Sequence, residues 1–115
     1  MSSDGVPTIA TLTTKVQELN RAIRALEVDL ATKGEEAADA EGAYRAQYAY
    51  QLRQQREAGS TVAEAEAYAK AEVAVLSRAR DVKAHEVKVI FEKIEDRRGE
   101  RASLHRLIDA VGGGS

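Results

Sequence analysis

An all-α fold is predicted, a long antiparallel two-helix coiled-coil hairpin, and three observations predict it. Apolar residues recur every three and four positions through both halves of the chain. Past residue 7 there is no proline. Near the middle, Glu57-Ala58-Gly59-Ser60-Thr61 carries the signals that stop one helix and start the next. Gly59 suits the left-handed conformation that closes a helix C-terminus. Thr61, with Glu64 three positions on, forms a reciprocal N-terminal capping box. A link this short between two long helices leads them to fold back on each other.

Composition agrees. Of 115 residues, 43% are apolar but only 4% are aromatic, so the large side chains that fill a globular core are scarce. Charged residues reach 31%, with 17 basic against 19 acidic, which is the signature of long helices and coiled coils rather than of a disordered chain. The net charge of −2 lacks the basic surplus of a general nucleic-acid binder. With no cysteine there is neither a disulfide framework nor a thiolate metal site. No apolar run nears the roughly 20 residues that span a bilayer, and residues 1–7 show no secretory pattern. The expected location is the cytoplasm.

In chain order, residues 1–7 are a flexible lead-in, and Pro7 with Thr8 or Thr11 opens the first helix, about 8–57. Its seam reads Ile9, Leu12, Val16, Leu19, Ile23, Leu26 and Leu30, a clean heptad series. The seam then becomes small and polar: Lys33, Ala37, Ala40, Tyr44, Gln47 or Tyr48, and Gln51 or Leu52. Gly34 and Gly42 interrupt this stretch at about 1 kcal/mol each, so either a continuous helix or a bend near Gly34 fits. Residues 58–60 form the turn. The second helix, about 61–110, carries Val73, Leu76, Arg80, Lys83, Val87, Ile90, Ile94, Arg97, Arg101, Leu104 and Ile108, with Gly99 as the expected kink. Residues 112–115 read as a flexible Gly/Ser tail.

Folding at residues 58–60 sets residues whose numbers total about 118 opposite one another. The acidic run Glu35, Glu36, Asp39 and Glu41 then faces Arg78, Arg80 and Lys83. Arg21 and Arg24 face Glu92, Glu95 and Asp96, and Glu18 faces Arg98 and Arg101. Such pairs disfavour slipped alignments. One flank is left over. Val75, Val82, Val89 and Leu107 stand apart from Val73, Val87, Phe91 and Ile94, and the combined arc is wider than one neighbouring helix covers. This predicts association, either of two copies into a four-helix bundle or with another protein. Long Arg and Lys stems lying over the valines are the competing account.

Nothing in the pattern points to catalysis, a cofactor or a metal. His85 and His105, about 30 Å apart on one helix, cannot share an ion. The carboxylate pairs stand on solvated helix faces, where no burial tunes an acid, and the serines have no neighbouring base. No phosphate-cradling glycine loop occurs. Two clusters remain as binding candidates. Tyr44, Tyr48, Tyr50 and Tyr68 cluster near the turn with several Arg and Gln, and Tyr and Arg are favoured binding anchors. The same tyrosines would equally fill space beside alanines. Arg97, Arg98, Arg101 and Arg106 suit phosphate, but the interleaved Glu92, Glu95, Asp96 and Glu100 cancel most of that field.

The seam Val16 to Leu30, the Ala/Glu middle Gly34 to Ala43, the run Tyr44 to Tyr50, the Gly-Ser-Thr turn and the Ala/Glu restart Ala63 to Ala71 together resemble the small helical-hairpin proteins of unknown function from actinobacterial phages. The resemblance implies a phage or bacterial cytosolic accessory protein and transfers no functional residue. Secreted WXG-type hairpins differ, since this chain has no tryptophan for their turn. The expected function is therefore a non-enzymatic interaction protein that bridges or recruits a protein partner. The alternative is an accessory factor in phage nucleic-acid metabolism that contacts DNA or a recombination enzyme through the Arg-rich end.

Overall fold

The computed structural model describes residues 8–113. Among them all regular structure is α-helical: α1 Ile9–Glu57, α2 Val62–Glu72 and α3 Ala74–Gly113. The lead-in over residues 1–7 and the last two tail residues lie outside the described part.

Thr8 caps α1. The Thr11 N–H donates to Thr8 Oγ1 at 3.1 Å, and the Leu12 N–H donates to the Thr8 carbonyl at 3.0 Å. The helix then runs unbroken through Gly34 and Gly42. Its end at Glu57 is a Schellman closure. Gly59 takes φ +98°, its N–H donates to the Arg56 carbonyl, and the Ser60 N–H donates to the Gln55 carbonyl. Arg56 also reaches across to the Ser60 carbonyl at 2.9 Å. Two residues later the capping box forms in full. The Glu64 N–H donates to Thr61 Oγ1 at 3.2 Å, and the Thr61 N–H donates to Glu64 Oε1 at 3.0 Å. That backbone hydrogen bond, helped by the threonine side chain, holds the Glu64 carboxyl below its ordinary value.

The second half is not one helix. It divides at Val73, which leaves helical geometry at φ −100°, ψ 13°. The helical bonds on either side persist: the Val73 N–H donates to the Ala69 carbonyl, and the Ser77 N–H donates to the Val73 carbonyl. The interruption lies where two spacings meet. Ala65, Ala69, Val73 and Leu76 step by four, four and three, an eleven-residue pattern, whereas the positions after Val73 alternate three and four. An eleven-residue pattern and a heptad pattern favour opposite supercoil hands, so a helix obeying both must adjust its winding between them. Gly99, the expected kink, lies within uninterrupted α3. Gly112 and Gly113, expected in the tail, also remain helical. A Cβ at Gly112 would sit 3.4 Å from Ile9 Cδ1, so the end of α3 lies against the start of α1.

Two compact units result. One comprises the described residues of Met1–Leu30 and Val89–Ser115. Its interior holds buried Leu12, Val16, Ile23 and Ile94, with half-buried Leu19, Leu26, Leu30, Ile90, Leu104 and Ile108 at heptad spacing. Fully burying one such aliphatic side chain contributes about 1.5–3 kcal/mol. Across this interior Arg101 donates to Asn20 Oδ1 at 2.9 Å, and Arg98 lies 3.8 Å from Glu27.

The other unit is Ala31–Lys88. Its buried residues are Ala65, Ala69 and Val73. Half-buried Lys33, Glu36, Lys83 and Glu86 add an ionic square, with a Lys-x-x-Glu step on each helix. Lys83 Nζ lies 2.7 Å from Glu36 Oε1, and Lys33 Nζ lies 3.3 Å from Glu86 Oε2. The within-helix sides measure 3.4 Å and 3.6 Å. Glu86 Oε2 is buried between the two ammonium groups without hydrogen-bond geometry to either. Arg80 extends the series to Glu41 at 3.7 Å. From Lys33–Glu86 through Glu36–Lys83 to Glu41–Arg80, one partner's number rises as the other's falls.

Candidate protein-binding surfaces

The four tyrosines separate into two kinds. Tyr44 and Tyr48, one turn apart on α1, stack with ring centroids at 6.0 Å and an interplanar angle of 24°. The Arg80 guanidinium lies 4.1 Å from the Tyr44 ring centroid, a cation–π contact. Arg80 is in turn held by Asp81 at 3.2 Å and by Ser77 Oγ at 3.3 Å. Tyr44 and Tyr48 are therefore half-buried, structural parts of the Ala31–Lys88 unit. Tyr50 and Tyr68 are 45% and 42% exposed, with rings available to a partner. Helical spacing in the sequence already sets Tyr44 and Tyr48 on one face, and the stack bears that out.

The valine flank also divides. Val75 is 73% exposed, Val82 54% and Leu107 41%, while Val89 is half-buried. Val75 and Val82, seven residues apart, share one side of α3. Phe91, assigned above to the seam side, is instead 52% exposed. It stands about 60° around the helix from Ile94, at the edge of the buried stripe rather than on it.

The arginines expected to face phosphate are engaged within the chain. Arg97 lies 2.6 Å from Glu100, and Arg98 lies 3.0 Å from Glu95. Arg101 holds Asn20, and Arg106 holds Ser103 Oγ at 3.1 Å. Arg21 and Arg24 do not reach Glu92, Glu95 or Asp96, and among the described residues neither makes an ion pair. Both level and side differ from expectation, because the cross-helix contacts Asn20–Arg101 and Glu27–Arg98 have numbers totalling 121 and 125 instead of about 118. At 100° per residue Arg24 stands about 100°, and Arg21 about 160°, around the helix from buried Ile23. Glu18 likewise meets neither Arg98 nor Arg101.

Two grooves accompany these side chains. In the unit with the aliphatic interior, an open groove of about 670 Å³ runs over Leu19, Ala22, Leu104 and Leu107, with Lys15, Glu18 and Glu100 at its margin. In the Ala31–Lys88 unit, a groove of about 390 Å³ lies at the Val73 interruption, lined by Tyr44, Lys70, Val73, Ala74, Ser77, Arg78 and Asp81. Sequence reasoning missed this second groove. Its only signal was the double step of four through Ala65, Ala69 and Val73.

The chemistry of the ionic square is structural. The hydrogen bond from Lys83 holds the Glu36 carboxyl below its ordinary value, against a smaller opposing effect of burial, and Lys33 adds to the lowering. The same bond raises Lys83 above its ordinary value. Both groups are thus fixed in their charged forms, which suits an ion pair and not proton transfer at neutral pH. His85 and His105 are exposed. Among the described residues no group of three or more His, Asp or Glu is arranged to hold a metal ion. No helix there is long and apolar enough to cross a membrane. Comparison with protein families, curated proteins and solved structures found no match to this chain.

Proposed function

We propose that this chain is a non-enzymatic interaction protein, an antiparallel two-helix coiled-coil hairpin that self-associates and recruits a protein partner in a phage or bacterial cytosol. The observation that carries this reading is the apolar surface α3 leaves in solvent on one side, with Val75 and Val82 each more than half exposed. Apolar side chains repeated along one helix beyond its buried stripe mark surface meant for a further protein. Exposed Tyr50 and Tyr68 supply rigid anchors of the kind that dominate protein contacts. The hairpin is supported by the Schellman closure, the capping box and the opposed order of the ion pairs in Ala31–Lys88.

Light-scattering mass tests the self-association. The expected mass is twice the 12.5 kDa of one chain at high concentration, falling on dilution. Val75→Asp with Val82→Asp should hold it at a single chain with helix content unchanged. A single-chain mass at every concentration, together with no protein captured from host lysate, would defeat the proposal. Salt-dependent DNA binding lost on Arg97→Ala, Arg98→Ala and Arg101→Ala would move the reading to nucleic-acid metabolism. The internal pairing of Arg97 and Arg98 argues against that outcome.

A further inference from the structure

Of the cations in the Ala31–Lys88 unit that make no ion pair, Lys70 and Arg78 are the two that line a groove. Lys33, Lys83, Arg45 and Arg80 all lie within ion-pair range of a carboxylate. Among the described residues Lys70 and Arg78 pair with nothing, although both line the groove at Val73. Even Glu66, one turn before Lys70, lies beyond ion-pair range of it. The one acid among the groove's lining residues, Asp81, is already occupied by Arg80 at 3.2 Å. The groove therefore keeps two cations without an ion-pair partner on a chain whose overall charge is negative. Between them its floor is apolar: the Tyr44 ring, Val73 and Ala74. The Tyr44 ring is fixed from two directions, by the Tyr48 stack and by Arg80, so the floor is preformed.

We infer that this groove binds an acidic linear segment of a partner protein, one carboxylate at Lys70, one at Arg78 and an apolar side chain between them over Ala74. The inference rests on the reading that the chain recruits a protein, and it gives that protein's docking segment a chemistry. Spacing narrows it further. Lys70 and Arg78 are eight residues apart across the Val73 interruption, about 12 Å at helical rise per residue. An extended peptide covers that distance in about four residues. In an extended chain positions i, i+2 and i+4 point to one side, so the pattern is acidic, any, apolar, any, acidic. A preformed groove with two fixed charges lowers the ordering cost of such a short segment.

The test titrates the full ¹⁵N-labelled chain with a synthetic peptide carrying Glu-Ala-Leu-Ala-Glu at its centre. Saturable shifts confined to Lys70, Val73, Ala74, Ser77 and Arg78 are expected, weakening as salt is raised. Lys70→Gln with Arg78→Gln should weaken binding about tenfold, since each partly exposed charge contact contributes a few-fold. Both side chains are exposed, so this variant should keep its helix content by circular dichroism. A peptide with lysines in place of the glutamates should not bind. No saturable shift, equal affinity in the double variant, or equal shifts at the unpaired surface arginines Arg21 and Arg24 would each overturn the inference. The dimer mass and lysate capture are unaffected by those outcomes, so the groove can fail while the interaction reading stands.

Discussion

In the unit drawn from Met1–Leu30 and Val89–Ser115 the side chains lost to solvent are Leu12, Val16, Ile23 and Ile94, whereas in Ala31–Lys88 they are Ala65, Ala69 and Val73. The aliphatic interior gains transfer free energy with every methylene it covers, yet successive leucine and isoleucine layers resemble one another and tolerate a shift by one heptad. The alanine interior gains less per residue but sits beside a square of charges that a shift would break. Polar groups at seam positions are known to fix register at some expense of stability. The first unit is held chiefly by aliphatic burial, and the second adds charged contacts that fix its own register.

The largest expected effect of substitution follows from this contrast. Ile94 is 2% exposed, and Ile94→Ala removes three carbons from the aliphatic interior. A loss of about 2–5 kcal/mol is expected, read as a lower midpoint in urea unfolding with an unchanged slope. A loss below about 1 kcal/mol would show that this interior collapses around the gap and does not carry the stability assigned to it.

In the second unit the sensitive direction is enlargement. Ala69 has no exposed surface, so Ala69→Leu must push its neighbours apart. The expected penalty is about 1–3 kcal/mol, smaller than that of Ile94→Ala. It should be accompanied by changed near-ultraviolet circular dichroism, because Tyr44 and Tyr48 belong to this unit. Equal or greater stability would mean that the alanines are small for lack of selection rather than for close approach.

Much of the fold was legible because its signals are local. Gly59, Thr61 and Glu64 act through backbone conformation and hydrogen bonds within a few residues, and the structure shows each in the expected role. The heptad series was equally readable, since periodicity alone placed buried Leu12, Val16 and Ile23 on the seam of the first helix and buried Ile94 on that of the last. Lys83 with Glu36, and Arg80 with Glu41, were also anticipated. Failures came where face, winding or exact level decided which residues meet. Arg21 and Arg24 were set beside Glu95 and Asp96 by a register that is offset by a few residues in this unit, and they also stand away from the buried stripe. The Val73 division depends on a mismatch between two spacings that no single residue announces, whereas Gly99 looked the weaker point yet lies within intact helix. The candidate surfaces were read less well than the fold. Tyr44 and Tyr48 are packed within the chain more closely than Tyr50 and Tyr68, and Lys70 and Arg78 came together only once the groove at Val73 was in view.

The smallest expected effect concerns pH, and it isolates the ionic square. Glu36 titrates below its ordinary 4.5, so the folded state holds that proton less tightly than the unfolded chain does. Its contribution to stability is complete above pH 4.5 and is lost as pH falls through the lowered value. Lys83 titrates above its ordinary 10.5, so its contribution is complete below that value and is lost as pH rises through the raised one. Between these limits the square contributes a plateau. Glu36→Gln should lower the plateau and flatten the acid limb, and it should also reduce the alkaline loss, because Lys83 then has lost its main partner. Lys33→Gln should do less, since Lys83 supplies the larger part of the Glu36 shift. Chemical unfolding measured from pH 3 to 11 on the parent and both variants gives the result. If the acid limb keeps its slope in Glu36→Gln, carboxylates elsewhere carry the acid dependence. The square would then contribute little, and the division of labour between the two units would fail on its ionic side.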